Sequence, residues 1–311
     1  METNELSEKA MGGTELMLHR LHSSIDKSLL DNFQIIPSRV RGLDMKKKRI
    51  YWVHDLPGDP EVAHLKDGGW KQFHKIVFVS YWQQQMYNAY LGVPYSAGTV
   101  IQNAVEPFEA HSKPDDGTIR LLYTSTPHRG LDILYAVFSK IKHEFPELRL
   151  EVFSSFELYG WGERDKQFNV LLNSLEKDPH VDYHKSVPNS EIREAIKRSH
   201  IFAYPSKWQE TSCLCLIEAM AGGLMCVHSS LAALPETSKG LTFMYDYSED
   251  IQQHANRFYV ALRNAILLKK SSKSALDIHH SLDVQSKLSN DLYGWDRRKN
   301  EWEQLFKELL A

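Results

Sequence analysis

Short apolar runs alternate with amphipathic segments along most of the chain. The runs, each bounded by turn residues, are RIYWVHD, KIVFVS, IRLLYTS, LRLEVFS, VDYHKS, HIFAYPS and LMCVHSS. Runs of this kind are typical of strands buried on both faces. The segments between them include LDILYAVFSKIKHEF, QFNVLLNSLEK and NSEIREAIKRS, and AMGGTELMLHRLHSSI begins as a glycine turn that leads into a helix. The alternation predicts an α/β fold with parallel, doubly wound sheets.

A polar stretch divides this pattern in two. Near Glu109 to Gly117, the sequence FEAHSKPDDGT replaces the apolar pattern with Pro, Asp, Gly and Ser. A chain of 311 residues is long enough for two domains with separate cores. The last segment has apolar residues at helical spacing, so we expect it to pack on a domain face. We therefore predict a first domain over 1–108, a second over 118–287 and a C-terminal helix over 288–311.

Composition indicates the class of protein without naming a partner. Hydrophobic residues make up 42%, charged residues 25%, and the formal net charge is -3. Three cysteines, all within Cys213 to Cys226, are too few for a disulfide framework, and the Cys-x-Cys pair lacks the second half of a zinc site. METNELSEKAMGG does not resemble a signal peptide, and no run is long enough to span a membrane. We expect a cytoplasmic protein, at most peripheral to a membrane surface.

The stretch from Trp208 to Gly223, WQETSCLCLIEAMAGG, places Glu210 and Glu218 with seven residues between them. If Ser212 to Ala221 is a helix, none of the positions one turn from Glu218 is polar: Leu214, Cys215, Ala221 and Gly222. A lone glutamate usually lies on a solvated face, but such a face would carry other charges nearby. A carboxylate in apolar surroundings needs hydrogen-bond donors, and the adjacent hydroxyls of a ribose are suitable.

The start of the same helix favours an anion. Thr211 and Ser212 are candidate N-caps, so free backbone N–H groups there, including that of Cys213, would face a group such as a diphosphate. Glu210 would lie near the same ligand at the carboxyl ends of the strands. A nucleotide-sugar site is one interpretation among several phosphate or acid sites.

The longer stretch PSKWQETSCLCLIEAMAGG resembles the Glu-x7-Glu signature of retaining glycosyltransferases of family 4, the glycosyl transferases group 1. Other segments are also similar to that family: MGGTEL to its glycine loop, VIQNAVEP to its interdomain segment, HRGLDIL to a strand-to-helix turn, LAALPET to the loop after the signature helix, and YGWDRRKNEWEQLFKELL to its C-terminal helix. The resemblance implies the GT-B fold. In this fold, two Rossmann-like domains enclose a deep cleft, and the C-terminal helix crosses back to the first domain.

The resemblance also implies roles for individual residues. Glu218 would bind the ribose hydroxyls, and Glu210 would contact the transferred sugar. Arg129 would neutralise the diphosphate as the bond to the sugar breaks. An alternative is that Arg129 is only a surface cation, although the dipole at a helix start disfavours a cation there unless an anion is close.

Two further elements of the site come from the first domain. By the resemblance, Gly12 and Gly13 would let the backbone approach the donor without a Cβ, although a double glycine alone usually marks only a turn. His54, at the end of RIYWVHD, would face the reacting sugar. Asp55 is an equal candidate for that role, and His54 would then be a satisfied polar group at a strand end.

The implied reaction is a retaining, hexosyltransferase-like transfer from a nucleotide-diphosphate sugar, with UDP or GDP as the nucleotide. The leaving group departs and the acceptor attacks on the same face of the sugar, so no protein nucleophile or separate cofactor is required. The sequence has no Asp-x-Asp motif, and Arg129 with the helix N-terminus would replace a divalent metal. No Gly-x-Ser-x-Gly, His-Glu-x-x-His or Walker A motif indicates another chemistry.

Several positions depart from the family pattern. Thr126 stands near a common arginine, Ala104 replaces the glycine of an Asn-Gly pair, and Ala232 or Ala233 replaces a glycine near the donor. The family's first strand has no counterpart in the ten residues before Met11. An alternative function is therefore a catalytically degenerate protein that binds a nucleotide sugar or a partner without turnover.

The acceptor is a hydroxyl compound, and we favour a glycan or glycolipid over a nucleic acid. The basic run MKKKR, Met45 to Arg49, is most often a solvated loop, but it also fits DNA phosphates or an anionic lipid surface. Aromatic contacts to a sugar or base are expected from Tyr51, Trp52, Trp70, Tyr81 and Trp82. An unpaired edge of the first sheet would offer a surface for a homo-oligomer.

Overall fold

The computed structural model describes residues 12–271 and 275–311. Residues 1–11 lie outside this range, and so do the predictions that concern them, namely the absent first strand and Met11 of the glycine loop. The described strands are β1 (Phe33–Pro37), β2 (Lys48–Val53), β3 (Lys75–Phe78), β4 (Gly98–Val100), β5 (Ile119–Thr124), β6 (Leu148–Phe153), β7 (Val181–His184), β8 (Ile201–Tyr204), β9 (Met225–Ser229) and β10 (Phe243–Tyr245).

Helices connect these strands in the order that the sequence pattern predicts. They are α1 (Gly13–Ser24), α2 (Lys27–Leu30), α3 (Tyr81–Leu91), α4 (Leu131–Ile141), α5 (Asn169–Lys177), α6 (Asn189–Arg198), α7 (Leu214–Ala221), α8 (Leu234–Ser238), α9 (Ile251–Lys270), α10 (Ala275–Tyr293) and α11 (Trp295–Leu310). Short 3-10 segments occupy Pro60–Gln72, Tyr95–Ala97, Pro127–Arg129, Phe156–Tyr159 and Gly162–Phe168. The sequence pattern did not single out β1, β4, β10, α2, α3, α8, α9 or α10.

The first sheet has the order β1-β2-β3-β4, and all of its neighbours are parallel. One of its faces packs against α1 and α11, where Trp52 of β2 meets Trp302 at a ring-centroid distance of 4.8 Å. The C-terminal helix α11 therefore belongs to the core of the first sheet, on the apolar face that its helical spacing predicts.

Two of the predicted aromatic contacts are wrong. Tyr51 and Trp52 are 0% and 1% exposed, and both pack in the core of the first sheet. The reason is their position in β2, a strand with neighbours on both sides and side chains buried on both faces. Tyr81, in contrast, is exposed at the start of α3.

The second sheet has the order β10-β9-β8-β5-β6-β7 and is also parallel throughout. The chain proceeds from β5 towards β7 on one side, and then returns to build β8 to β10 on the other. The carboxyl ends of β5 and β8 therefore form a topological switch point, where open α/β sheets bind ligands. The predicted α/β fold with parallel sheets is confirmed.

The segment between the sheets is tied to the end of α10. Val105 N–H donates to Tyr293 O at 2.8 Å, and Phe108 N–H donates to Asn290 Oδ1 at 2.9 Å. Helix α10 runs without interruption through residue 287, where we predicted a boundary, and the break comes at Gly294. The structure thus places the turn back towards the first sheet seven residues later than the predicted boundary.

Candidate functional site

Helix α7 carries Glu218 and is buried along most of its length. The prediction that Thr211 or Ser212 caps this helix is wrong, because α7 begins at Leu214 and its N-cap is Cys213 at φ 65°, without a side-chain cap. The Thr211 side chain and the Ser212 backbone carbonyl have other partners. The Thr211 hydroxyl donates to His54 O at 3.0 Å, and Ser212 O accepts from the Thr237 hydroxyl at 3.0 Å. These contacts place the turn into the helix at Cys213.

Glu218 is only 4% exposed, which excludes the solvated-face interpretation. Asn189 Nδ2 donates to both carboxylate oxygens, at 3.0 and 3.2 Å. Burial raises the pKa of Glu218, and the bonds from Asn189 and the nearby charge of Arg20 oppose this shift. The carboxylate lines a cavity of about 130 Å³ together with, among others, Gly13, Leu16, Ser154, Ser155, Lys185 and Asn189.

Glu210, which is buried, and Arg129, which is partly buried, form an ion pair at the switch point of the second sheet. Arg129, after β5, places Nη1 at 3.0 and 2.9 Å from the two oxygens of Glu210, which follows β8. Tyr204, the last residue of β8, donates its hydroxyl to Glu210 at 2.6 Å. Burial alone lowers the pKa of Arg129, but the Glu210 carboxylate raises it well above its ordinary value. The guanidinium therefore stays charged.

This pair opens into a second cavity, of about 450 Å³, between the two sheets. The strand-end residues His54 and Asp55 face it from the first sheet, and Thr211 faces it from the second. Burial lowers the pKa of His54 to about 3, so the imidazole is neutral at ordinary pH. Burial also raises the pKa of Asp55. Both residues reach the cavity, so the choice between them stays open.

Gly12 and Gly13 bring the start of α1 against the second domain. A Cβ at Gly12 would lie 2.5 Å from Tyr159 Cε1, and one at Gly13 would lie 2.8 Å from Leu214 Cδ1. Both distances are shorter than real contacts, so a larger residue at either position would require Tyr159 or Leu214 to shift. Gly13 lines the cavity that holds Glu218, and Thr14 lines the cavity that holds Glu210.

Of Ala232 and Ala233, the two candidates for a replaced glycine, only Ala232 has a conformation that favours glycine. Ala232 lies at φ 55°, a left-handed conformation that favours glycine, whereas Ala233 is right-handed at φ -79°. The Ala233 backbone N–H donates to the backbone carbonyl of Glu210 at 3.1 Å, so this loop is bonded to the main chain of Glu210. Thr126 is buried below Arg129, and its carbonyl accepts the Tyr123 hydroxyl.

Glu236, which no motif in the sequence pointed to, joins the two domains. Its carboxylate accepts the backbone N–H groups of Tyr81 and Trp82, at 3.0 and 2.9 Å, and the side-chain amide of Gln102 at 2.9 Å. A carboxylate at the N-terminus of α3 completes hydrogen bonds that the helix leaves open. The only indication in the sequence is that Glu236 is an acidic residue in LAALPET, the segment that resembles the family's loop after the signature helix.

Asn189, Tyr204 and Arg20 were also missed. Arg20 gave a faint signal, because it is a cation on the face of α1 that carries Met17 and Leu21. Asn189 and Tyr204 look like an ordinary helix-start residue and an ordinary strand residue. Their partners lie 29 and 6 positions away, and no periodic pattern indicates such contacts.

The described residues contain neither a cluster of metal ligands nor a membrane-spanning helix. Within residues 12–271 and 275–311, no group of three or more His, Cys, Asp or Glu side chains is arranged to hold a metal ion. In the same part of the chain, none of the helices combines the length and the apolar character needed to cross a membrane.

A comparison with protein families finds one match. The family described as Glycosyl transferases group 1 matches residues 106–275, more than half of the chain. The matched segment contains Arg129, Asn189, Glu210, Glu218 and Glu236.

Curated relatives are distant in sequence. A phosphatidylinositol N-acetylglucosaminyltransferase subunit from Arabidopsis thaliana is 23% identical over 202 residues, which is 62% of this chain and 44% of that protein. The phosphatidylinositol N-acetylglucosaminyltransferase gpi3 subunit of Schizosaccharomyces pombe is 24% identical over 143 residues, 44% of this chain and 30% of that protein. The chain thus spans less than half the length of these relatives.

Solved structures share the fold. A glycosyltransferase from Rickettsia africae ESF-5 superimposes with a TM-score of 0.68 at 14% identity and covers 100% of this chain and 84% of that one. Anabaena HepE, solved in complex with UDP-glucose, gives a TM-score of 0.61 at 14% identity over 85% of this chain and 73% of that one. These likenesses confirm the predicted GT-B fold.

Proposed function

The chain belongs to the Glycosyl transferases group 1 family, and from this premise we propose that it is a retaining glycosyltransferase. It moves a sugar from a nucleotide diphosphate to a hydroxyl acceptor. The observation that carries the proposal is the placement of Arg129 and Glu210 at the switch point between β5 and β8, with the buried Glu218 in the adjoining cavity. A cation for a diphosphate and two carboxylates for hydroxyl groups are what a donor of this kind requires.

The donor occupies both cavities. Its ribose diol donates to Glu218, and its diphosphate and sugar extend towards Arg129 and Glu210. A uridine or guanosine diphosphate sugar fits this arrangement, and the UDP-glucose bound by HepE supports uridine. Lys185, in the cavity with Glu218, adds a cation on the nucleotide side.

Catalysis rests on charge stabilisation. As the bond between the sugar C1 and the phosphate oxygen breaks, the Arg129 guanidinium stabilises the charge on the leaving diphosphate. The acceptor oxygen forms its bond to C1 on the same face, and its proton passes to the leaving phosphate oxygen. Glu210 and the neutral His54 hold the transferred sugar by its hydroxyl groups. No step requires a protein nucleophile, a metal or a further cofactor.

We propose that the acceptor is a glycan or a glycolipid rather than a nucleic acid. Trp161 and Trp208 line the larger cavity and are 39% and 43% exposed, a surface on which a sugar ring can stack. The phosphatidylinositol named for the distant relatives supports a lipid-linked sugar. We place the reaction in the cytoplasm, at most peripheral to a membrane, because the three cysteines are all free thiols.

A second candidate function is nucleotide-sugar binding without turnover. Two observations favour it, namely the left-handed conformation of Ala232 and the buried Thr126 near the position where the family commonly has an arginine. Two guanidinium groups line the cavity with Glu210, those of Arg129 and Arg164. Because Arg164 packs on Trp161, Arg129 alone is left to face a diphosphate.

Thermal-shift titration with a panel of UDP-sugars and GDP-sugars separates the two functions when donor hydrolysis is measured in parallel. A transferase should be stabilised by one donor and should release the sugar of that donor slowly. NMR of the released sugar should show that its anomeric configuration is retained. Glu218→Gln should lose the stabilisation, whereas Glu194→Gln, a change at an exposed glutamate of α6, should keep it. Stabilisation without any sugar release would favour the binder, and no response to any donor would refute both.

A further inference from the structure

A chain of polar contacts reaches Glu218 from the first domain. Arg20 lies on α1 and is only 7% exposed. Its Nη2 donates to Asn189 Oδ1 at 3.2 Å, and Asn189 Nδ2 donates to Glu218 Oε1 and Oε2 at 3.0 and 3.2 Å. The side-chain amide of Asn189 thus bridges a cation of one domain and a carboxylate of the other.

The charges on both sides fix the orientation of this amide. The carbonyl oxygen of Asn189 must face the guanidinium, because Arg20 can only donate, and its NH₂ group then faces the two oxygens of the Glu218 carboxyl group, which accept. A flipped amide would lose both contacts. Since one NH₂ group lies between the two oxygens of Glu218, the carboxylate is held with both oxygens facing Asn189. Each oxygen keeps lone pairs for a further donor.

Arg20 is itself held at the start of the segment that joins the two sheets. Its Nη1 donates to Ala104 O at 3.4 Å, and its Nε lies 3.6 Å from Glu106. One guanidinium therefore contacts both the interdomain segment and the residue that orients Glu218. A shift of α1 away from the second domain would remove the anchor from Asn189.

We propose that Asn189 is a positioning residue that holds the Glu218 carboxylate in the orientation a ribose diol needs, with Arg20 anchoring it from the first domain. This inference rests on the proposed function, in which Glu218 binds the ribose of the donor. It follows that nucleotide recognition by the second domain depends on the position of the first. The donor site is complete only while α1 lies where this structure places it.

The first arm of the test measures the wild-type protein by isothermal titration with UDP and GDP and with their 2′-deoxy counterparts. A hydroxyl bonded to a charged carboxylate should give a preference for the ribonucleotide of about tenfold or more. If neither ribonucleotide binds, or if both forms bind equally, the proposed role of Glu218 fails and the inference fails with it.

The second arm repeats the titrations with Asn189→Leu and Arg20→Met, and uses Ser190→Ala, at the exposed next residue of α6, as the control. We expect Asn189→Leu to reduce the preference to about twofold or less while the 2′-deoxy nucleotide binds nearly as before, because a mispositioned Glu218 loses its bond to the diol. Arg20→Met should lower the preference for the ribonucleotide to a value between those of the wild type and Asn189→Leu. The control should keep the preference of the wild type.

If Asn189 had a merely structural role, its replacement would weaken the binding of the ribonucleotide and of the 2′-deoxy nucleotide equally. The ratio of the two affinities would then stay unchanged. An unchanged ratio in Asn189→Leu and in Arg20→Met, beside a clear preference in the wild type, would overturn the inference and leave the proposed function standing. Arg20→Met acts from the other domain, so it decides the question even if Asn189→Leu does not fold.

Discussion

Replacing Glu236 by alanine should loosen the contact between the two domains. The carboxylate of Glu236 crosses from α8 to the N-terminus of α3, where it accepts two backbone N–H groups and the amide of Gln102. Ser80 already caps the helix through its own side chain, so Glu236→Ala removes the interdomain contact without removing the cap. The folds of the individual sheets should persist.

The expected loss follows from these three bonds. A hydrogen bond to a charged group contributes about 1.5 to 3 kcal/mol, and a carboxylate at a helix N-terminus adds about 0.3 to 1 kcal/mol. Glu236 is half-buried, so water replaces part of what is removed, and we expect a net loss of about 2 kcal/mol. In a chain of this size, this corresponds to a fall in Tm of about 4 °C.

Differential scanning calorimetry measures this loss, and small-angle scattering measures the domain arrangement. The control is Glu191→Ala, since Glu191 is an exposed acidic residue in the first turn of α6 without a partner in the first domain among the contacts that the structure describes. The control should lose only the dipole contribution, about 0.5 kcal/mol. We expect Glu236→Ala alone to increase the radius of gyration.

Equal Tm values for Glu236→Ala and Glu191→Ala, with identical scattering curves, would refute this reasoning. They would mean that the three bonds are fully replaced by water and that packing alone holds the domains together.

Three further predictions test backbone strain, an ion pair and a buried histidine. Ala232→Gly should raise Tm by about 2 °C, because glycine removes about 1 kcal/mol of left-handed strain; an unchanged or lower Tm would contradict this. Arg129→Met should cost about 3 kcal/mol by leaving Glu210 buried without its cation, and calorimetry should show that adding Glu210→Gln restores most of the loss. Burial lowers the pKa of His200 to about 4, below its ordinary value of 6.5. Its Nδ1 accepts the Arg120 N–H, so protonation breaks that bond. Between pH 6.5 and 4 the folded state therefore binds fewer protons than the unfolded chain. The contribution of His200 to the free energy of unfolding is complete above pH 6.5 and falls by up to about 1.4 kcal/mol per pH unit as the pH drops from 6.5 to 4. His200→Gln should flatten the dependence of Tm on pH in that window, and an equal slope in both proteins would assign the effect elsewhere.

The sequence determined the class of fold and the burial of Glu218. Strand and helix periods are local properties, so the alternation of apolar runs with amphipathic segments was enough to predict parallel α/β sheets. The absence of polar residues one turn from Glu218 correctly predicted that its carboxylate is buried. The apolar face of the last segment likewise predicted that α11 packs on a domain face.

Only the tertiary structure decided what these groups contact. Arg129 and Glu210 are 81 positions apart, and Arg20 and Asn189 are 169 apart, so neither pair leaves a periodic signal. The start of α7 was misjudged for the same reason, because Thr211 and Ser212 have the residue types of helix caps, but the Thr211 hydroxyl bonds to His54 and the N-cap is Cys213. A sequence pattern shows which side chains must leave water, whereas the partner that satisfies a buried polar group depends on which strand ends and helix starts the folded chain brings together.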